Sequence, residues 1–169
     1  VLDTSVDEPK DLLKEYHDKV PFVKGLATMV SNHAGENGQI RTILGRKCRF
    51  PLWEPKTFGI HKALPLEEAV REHGRSSIKR AFTYKALNRL IQGSSADQTK
   101  KAMLDCYNAG YLPMLQVHDE LCFSIGADEE GNPNEDQIME IARIMEGCVE
   151  AKVPFKVDCC IADNWGQVD

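Results

Sequence analysis

Residues 113–125, Pro-Met-Leu-Gln-Val-His-Asp-Glu-Leu-Cys-Phe-Ser-Ile, constrain the fold of this chain more than any other segment. Two apolar runs flank three consecutive polar residues, His118, Asp119 and Glu120. This pattern predicts two buried strands joined as a hairpin. Acidic groups at the tip of a buried hairpin carry a desolvation cost on the order of several kcal/mol for each unpaired charge. A bound divalent cation offsets that cost, so the segment predicts a cation site; the alternative is an ordinary polar surface turn.

Helical spacing of apolar residues predicts three further long elements. The first has Asp7 before it as a cap and is bent or divided at Pro21. The second has a kink at residues 93–95, Gly-Ser-Ser, and ends at Gly110. The predicted helices cover residues 9–32, 76–108 and 134–150.

Alternating patterns predict the remaining strands. A short basic hairpin is expected over residues 39–51 and a last strand over 153–161. Residues 51–76, rich in Pro and Gly, predict a long irregular connection with one helical turn near 66–72. The order of elements predicts an α+β fold, with a small antiparallel sheet packed against long helices.

The charge distribution indicates a polyanionic partner. The 169-residue chain has a net charge of −5, from 21 Lys and Arg against 26 Asp and Glu. Residues 39–101 hold 14 basic and 5 acidic residues, a net of +9, which leaves 7 basic and 21 acidic residues elsewhere, a net of −14. A basic region in an acidic protein is typical of a groove for nucleic acid. A basic but merely solvated helix face is the alternative.

Other composition features exclude several classes of protein. No apolar run is long enough to span a bilayer, and the N-terminal Val-Leu-Asp-Thr-Ser is not a signal peptide. The chain does not begin with Met, so we expect it to start inside a longer protein. The cysteines lack Cys-x-x-Cys spacing and predict buried free thiols of a cytosolic protein, without zinc or disulfides: Cys48, Cys106, Cys122, Cys148, Cys159 and Cys160.

Gln-Val-His-Asp-Glu followed by alternating apolar residues resembles the palm hairpin, motif C, of family A DNA polymerases, which include bacterial DNA polymerase I and many phage replicases. The resemblance implies template-directed nucleotidyl transfer, with primer-template DNA and deoxynucleoside triphosphates as partners and two Mg²⁺ ions as cofactors. It implies Asp119 as the direct magnesium ligand and Glu120 as a weaker or outer-shell partner. His118 and Gln116 are implied to touch the primer end.

Residues 84–97, Tyr-Lys-Ala-Leu-Asn-Arg-Leu-Ile-Gln-Gly-Ser-Ser-Ala-Asp, resemble the segment of the same family that follows the primer-template minor groove. Tyr84, Asn88 and Gln92 fall at i, i+4 and i+8, so they are predicted to share one helix face. Minor-groove acceptors occupy the same place in every base pair, so carboxamide donors can check pairing geometry without reading sequence. Basic residues flanking this face are predicted to neutralise phosphates: Lys79, Arg80, Lys85 and Arg89.

Residues 42–51, Thr-Ile-Leu-Gly-Arg-Lys-Cys-Arg-Phe-Pro, resemble a second duplex-backbone contact of the family, the hairpin Thr-Leu-x-Gly-Arg-Arg-Arg. The matching positions are Arg46, Lys47 and Arg49. One departure matters: bacterial members have an Arg where this chain has Tyr84, so Lys85 or Arg89 is expected to supply that charge. The long connection at 51–76 indicates a phage-type member.

Two parts of the family pattern have no match in this sequence. The second aspartate, in the motif Asp-Tyr-Ser-x-x-Glu, and the nucleotide-binding fingers helix are both missing. The resemblance therefore assigns residues 1–37 to the fingers–palm junction and 38–169 to the palm, with a DNA-contacting helix at 76–109 and the hairpin at 113–125. We expect the chain alone to be inactive and to need an N-terminal polymerase segment or subunit, in a bacterial or phage-infected host cytoplasm.

Three alternatives stay open from the sequence. A non-catalytic DNA-binding module derived from a palm would keep the basic helix without using Asp119. A metal-dependent hydrolase would need more ligands beside His118, and the other histidines are scattered without ligand spacing. Single-subunit RNA polymerases share the palm, but their hairpin usually has His-Asp-Ser, so Glu120 favours DNA.

Overall fold

The computed structural model describes residues 8–57, 59 and 62–167, and it divides the first helical region at Pro21 as predicted. Helix α1 is Glu8–Lys19 and helix α2 is Pro21–Asn37, longer than the predicted end at residue 32. Proline suits the start of α2 because it lacks the N–H that a first helical turn leaves unpaired. The predicted cap Asp7 lies outside the described residues.

The end of α2 leads directly into the basic hairpin. Gly38 has φ +69°, and its N–H donates to the carbonyl of Ala34 at 2.9 Å, which closes the helix with a left-handed cap. Strand β1, Gln39–Arg41, then pairs antiparallel with strand β2, Lys47–Arg49. The hairpin is confirmed, with shorter strands than predicted. The core of this region consists of Val30, Ala34, Ile40, Phe50 and Ala86.

The connection predicted as irregular contains more regular structure than its sequence indicates. Strand β3 is Trp53–Pro55, helix α3 is Leu66–His73, and a 3₁₀ turn at Arg75–Ser77 leads into strand β4, Ile78–Arg80. Strands β3 and β4 pair antiparallel, with Trp53 opposite Arg80. The single predicted helical turn is a helix of eight residues. Periodicity missed the sheet because its strands are three residues long and far apart in the chain.

The second long helix begins ten residues later than predicted. Residues 78–80 are strand β4, and Thr83–Lys85 form a 3₁₀ turn, so helix α4 is Ala86–Asn108 instead of 76–108 or 76–109. Phe82, with φ +62°, separates strand from turn in a conformation that an α-helix does not contain. Helix α4 continues without interruption through residues 93–95, and Gly110 follows its end with φ +94°.

The chain divides into two compact units, Val1–Gln92 and Gly93–Asp169. In the second unit, strand β5, Pro113–Val117, pairs antiparallel with strand β6, Glu120–Phe123, which confirms the predicted hairpin. Helix α5 is Glu135–Gly147, and the side chain of Asn134 accepts a hydrogen bond from the N–H of Gln137 at 3.0 Å. A last 3₁₀ turn is Trp165–Gln167.

The predicted last strand over residues 153–161 is wrong. No residue of that range pairs in a ladder within the described chain, and most of its side chains are exposed. A strand needs a neighbouring edge to satisfy its backbone, and apolar composition alone cannot provide one. The sheets among the described residues are β1–β2, β3–β4 and β5–β6.

The α+β class is confirmed: helices alternate with small antiparallel sheets. The single predicted sheet is divided into separate two-stranded ribbons across the described residues. No helix in the described part of the chain combines the length and the apolar character needed to cross a membrane.

The cysteines differ in burial, contrary to the expectation that they are all buried. Cys106 is fully buried on α4, whereas Cys159 and Cys160 are exposed near the C-terminus. Burial raises the pKa of the Cys106 thiol to about 11. The three thiols are therefore predicted to react at very different rates.

We predict that iodoacetamide at pH 8 labels Cys159 and Cys160 first and Cys106 last. With a pKa of about 11, the Cys106 thiol is only about one part in a thousand thiolate at pH 8, and its sulfur is buried. Cys159 and Cys160 are exposed to the reagent. Peptide mass spectrometry of a labelling time course measures the order. Denaturation before labelling serves as the control, because it should make the rates converge, and early labelling of Cys106 in the folded protein would contradict the assigned burial.

Candidate functional site

The hairpin of β5 and β6 presents its polar residues on a two-residue loop. Val117 pairs with Glu120, so the loop consists of His118 and Asp119. His118 has φ +53°, and a positive φ at the first loop position is typical of tight hairpins. The side-chain amide of Gln116 donates to the carbonyl oxygen of His118, which holds the loop in this conformation.

The hairpin tip is exposed, and the expectation of a buried hairpin is wrong for the described chain. His118, Asp119 and Glu120 are all exposed, and Met114 and Leu115 on β5 are 64% and 42% exposed. Among the described residues β5 pairs only with β6, and a two-stranded ribbon leaves much of its surface in water. The desolvation argument for a cation therefore does not apply to this structure, because Asp119 and Glu120 are exposed to solvent.

The chemistry of the tip nevertheless fits a magnesium ion. The carboxylates of Asp119 and Glu120 accept no hydrogen bond from any side chain or backbone group that the structure describes. Mg²⁺ uses one or two protein carboxylates and completes its shell with water and substrate oxygens. No group of three His, Cys, Asp or Glu side chains that could hold a metal ion occurs in residues 8–57, 59 and 62–167. The tip thus presents two exposed carboxylates that no described side chain or backbone group engages.

The acidic loop after β6 contains a carboxylate, that of Asp128, which forms hydrogen bonds within the protein. Asp128 accepts hydrogen bonds from the N–H of Glu130 at 2.9 Å and from the N–H of Asn132 at 2.8 Å. The side chain of Asn132 also donates to it, and these bonds hold the pKa of Asp128 below its ordinary value. Asp128 therefore stabilises the turn in which it lies, whereas the Asp119 carboxylate accepts no hydrogen bond from the described residues.

The first turns of α4 carry the two carboxamides predicted to read base pairs. Asn88 and Gln92 are four residues apart on α4 and are both exposed. Tyr84 lies in the preceding 3₁₀ turn, so the predicted helical face that joins all three residues is correct only for Asn88 and Gln92. The tyrosine is nevertheless 72% exposed.

Basic side chains around this part of the chain are held in different ways. Lys79 forms an ion pair with Glu54 at 3.5 Å. Arg80 donates to the carbonyl of Phe50 at 3.0 Å and lies over the Trp53 ring, 4.5 Å from its centroid. These two of the predicted phosphate ligands are therefore engaged within the protein.

Lys85 and Arg89 lie over aromatic rings instead of carboxylates. The Lys85 ammonium is 5.3 Å from the Phe82 ring centroid and 5.6 Å from that of Tyr84. The Arg89 guanidinium is 4.9 Å from the Phe50 ring centroid. Neither cation has a carboxylate within ion-pair distance in the described part of the chain.

The hairpin of β1 and β2 carries the basic residues that were predicted to contact the backbone of duplex DNA. Arg46 lies in the turn, Lys47 and Arg49 lie on β2, and all three are exposed. The Thr42 hydroxyl accepts a hydrogen bond from the N–H of Arg46 at 3.0 Å, and Gly45 provides the positive φ of +83° that the turn requires. The chain thereby places three like charges on one short hairpin.

The structure thus groups the predicted residues locally. His118, Asp119, Glu120 and Gln116 share one hairpin, while Lys85, Asn88, Arg89 and Gln92 share the first turns of α4 and the turn before it. The cation–π contact between Lys85 and the Phe82 ring was not predicted from the sequence. No sequence signal could have found it, because aromatic residues rarely adopt a positive φ.

Comparison with known proteins gives a consistent family. Residues 1–167 match the model for DNA polymerase family A. The chain is 38% identical over 160 residues to a DNA-directed DNA polymerase of Pseudomonas phage M6, which covers 95% of this chain and 20% of the phage protein. It is 29% identical over 171 residues to DNA polymerase I of Bacillus caldotenax, covering 97% of this chain and 17% of that protein.

A solved structure is also similar. The POL domain of Pol1 from M. smegmatis, in complex with DNA primer-template and dNTP, superimposes with a TM-score of 0.63 at 28% identity. The match covers 92% of this chain and 24% of that chain. The chain therefore spans about a sixth to a quarter of the length of these relatives.

Proposed function

Because the chain belongs to DNA polymerase family A, we propose that it is the C-terminal palm segment of a DNA-directed DNA polymerase that extends a primer on a DNA template. Residues 1–37 would form the fingers–palm junction and residues 38–169 the palm. The observation that carries the proposal is the hairpin tip, where Asp119 and Glu120 offer carboxylates that no other described residue uses. The phage relative at 38% identity supports a phage-type enzyme.

Asp119 would be the direct magnesium ligand, and Glu120 an outer-shell partner. Asp119 lies in the loop and Glu120 on β6, so successive side chains leave the backbone in different directions. When bound, two Mg²⁺ ions would activate the primer 3′-oxygen and stabilise the charge on the leaving pyrophosphate. His118 and Gln116 would contact the primer end. One amide hydrogen of Gln116 is bonded to the His118 carbonyl, so its second amide hydrogen and its oxygen would be available to the primer.

The remaining predicted residues would bind the primer-template. Asn88 and Gln92 would donate to minor-groove acceptors, since both are exposed on consecutive turns of α4. Four exposed basic side chains of the first unit and the half-buried Arg89 would neutralise backbone phosphates without reading sequence. The exposed ones are Lys85, Arg46, Lys47 and Arg49.

We further propose that this segment works only with an upstream polymerase segment or subunit, in the cytoplasm of a bacterium or an infected host. That partner would supply a second aspartate and the residues that bind the incoming deoxynucleoside triphosphate. Large apolar side chains exposed in the second unit support the idea, because a folded surface seldom leaves so many in water: Leu104, Tyr107, Leu112, Met114, Leu115 and Met139.

Reconstitution tests the proposal. The chain is mixed with the N-terminal region of a closely related phage polymerase, and extension of a labelled primer is followed with and without Mg²⁺. We expect extension only with both polypeptides and the metal present. Extension by the chain alone would refute the need for a partner, and binding of primer-template without extension in any mixture would favour the non-catalytic DNA-binding module.

A further inference from the structure

Lys85 lies over two aromatic rings, whereas the nearby Lys79 is paired with a carboxylate. Its ammonium lies over Phe82 and Tyr84, at 5.3 Å and 5.6 Å from the ring centroids. In the described part of the chain no carboxylate lies within ion-pair distance of it. An ammonium within about 6 Å of a ring centroid is attracted by the negative face of the ring.

An aromatic ring orients a cation without neutralising it. Lys79, six residues earlier, is paired with Glu54, and the two formal charges cancel. A phosphate approaching Lys85 would meet a full positive charge that is already confined, so less side-chain entropy would be lost on binding. The rings therefore suit a lysine that must bind an anion outside the protein.

The backbone at Phe82 carries strain for this arrangement. Its φ of +62° lies in the left-handed region, which bulky non-glycine residues rarely adopt. The N–H of Lys85 donates to the Phe82 carbonyl at 3.0 Å, which closes the turn that brings the ring beneath the ammonium. Strained backbone conformations that persist in a fold often mark functional positions.

We propose that Phe82 and Tyr84 form an aromatic seat that holds the Lys85 ammonium for one phosphate of duplex DNA. Phe82 is then a positioning residue that acts through Lys85. This inference rests on the proposed function, because it assumes that the first unit binds primer-template.

A double-mutant cycle tests the seat. Affinity of the full chain for a fluorescent primer-template is measured by anisotropy at several salt concentrations, for the parent, Phe82→Leu, Lys85→Met and the double variant. Lys85→Met should reduce the slope of log Kd against log salt by about 0.9, the value for one phosphate contact. Phe82→Leu should weaken binding by about two- to fivefold in the parent and should have no effect in the Lys85→Met background.

Two further variants distinguish the loss of the aromatic seat from a general loss of stability of the fold. Tyr84→Leu removes the exposed ring of the seat and should also weaken binding only while Lys85 is present. Tyr16→Leu removes a tyrosine that is 47% exposed on α1 and has no Lys or Arg over its ring among the described residues. It should leave affinity and salt slope unchanged, and circular dichroism checks that each variant folds.

The outcomes distinguish this inference from the proposed function. If the parent chain shows no salt-dependent binding of primer-template, either alone or mixed with the N-terminal region, both are overturned. If the parent binds and Phe82→Leu or Tyr84→Leu weakens binding equally with and without Lys85, the rings act independently of the lysine and the seat alone is overturned. The same holds if neither ring variant changes the affinity.

Discussion

Asp119→Asn is expected to reduce primer extension by the reconstituted polymerase about 10²- to 10³-fold, in line with the loss of one charge stabiliser in an active site. Asparagine has the same shape and is equally tolerated in a tight turn, so the hairpin of β5 and β6 should persist. What disappears is the negative charge that a magnesium ion needs. Single-turnover extension with saturating primer-template and nucleotide measures the effect.

The binding of DNA provides the internal control for this substitution. Asp119→Asn should leave the affinity for primer-template unchanged or slightly tighter, because it removes a negative charge near a polyanion. Asp158→Asn, at an exposed aspartate outside the proposed site, should leave extension unchanged. Normal extension by the Asp119 variant would eliminate this residue as a metal ligand and with it the catalytic function of the hairpin.

Gly38→Ala is expected to destabilise the protein by about 2–4 kcal/mol. A Cβ at Gly38 would lie 2.5 Å from Cζ and 2.7 Å from both terminal nitrogens of Arg80. The guanidinium cannot move without losing its hydrogen bond to the Phe50 carbonyl and its position over Trp53. The φ of +69° adds strain of about 1–2 kcal/mol for alanine. Urea unfolding followed by circular dichroism measures the free energy of unfolding.

Two controls test whether the close approach of Arg80 causes the loss of stability: a glycine with free space around it, and a variant without the Arg80 side chain. Gly25→Ala, in the same helix with no atom within 4 Å of the added Cβ, should stabilise the protein by about 0.5–1 kcal/mol. In an Arg80→Ala background, Gly38→Ala should cost only the backbone strain. Equal costs with and without Arg80 would show that the close approach of the guanidinium does not matter.

Several local features were predictable because a few neighbouring residues decide them. The loop of His118 and Asp119 follows from a polar break between two short apolar runs, and the helix division at Pro21 follows from a missing N–H. Asn134 was placed at the start of the last long helix, where its side chain caps α5. In each case the interaction spans only a few residues.

The errors concern interactions between distant residues. The predicted helix over 76–108 loses its first ten residues because β4 pairs with β3, more than twenty residues earlier in the chain. Residues 153–161 are apolar enough for a strand, but they have no partner edge in the described chain. The hairpin at 113–125 was expected to be buried, and no sequence pattern reveals how much of a ribbon its neighbours cover.

The sequence by itself determined the α+β class, the polar tip at Asp119 and Glu120, and the family resemblance, because residue type and short-range spacing carry that information. Only the tertiary structure decided which cations remain available to a partner: Arg80 is used within the fold, whereas Lys85 lies charged over two aromatic rings. The physical reason is that the state of a charge depends on the groups packed around it, and chain folding brings those groups from separate turns and strands.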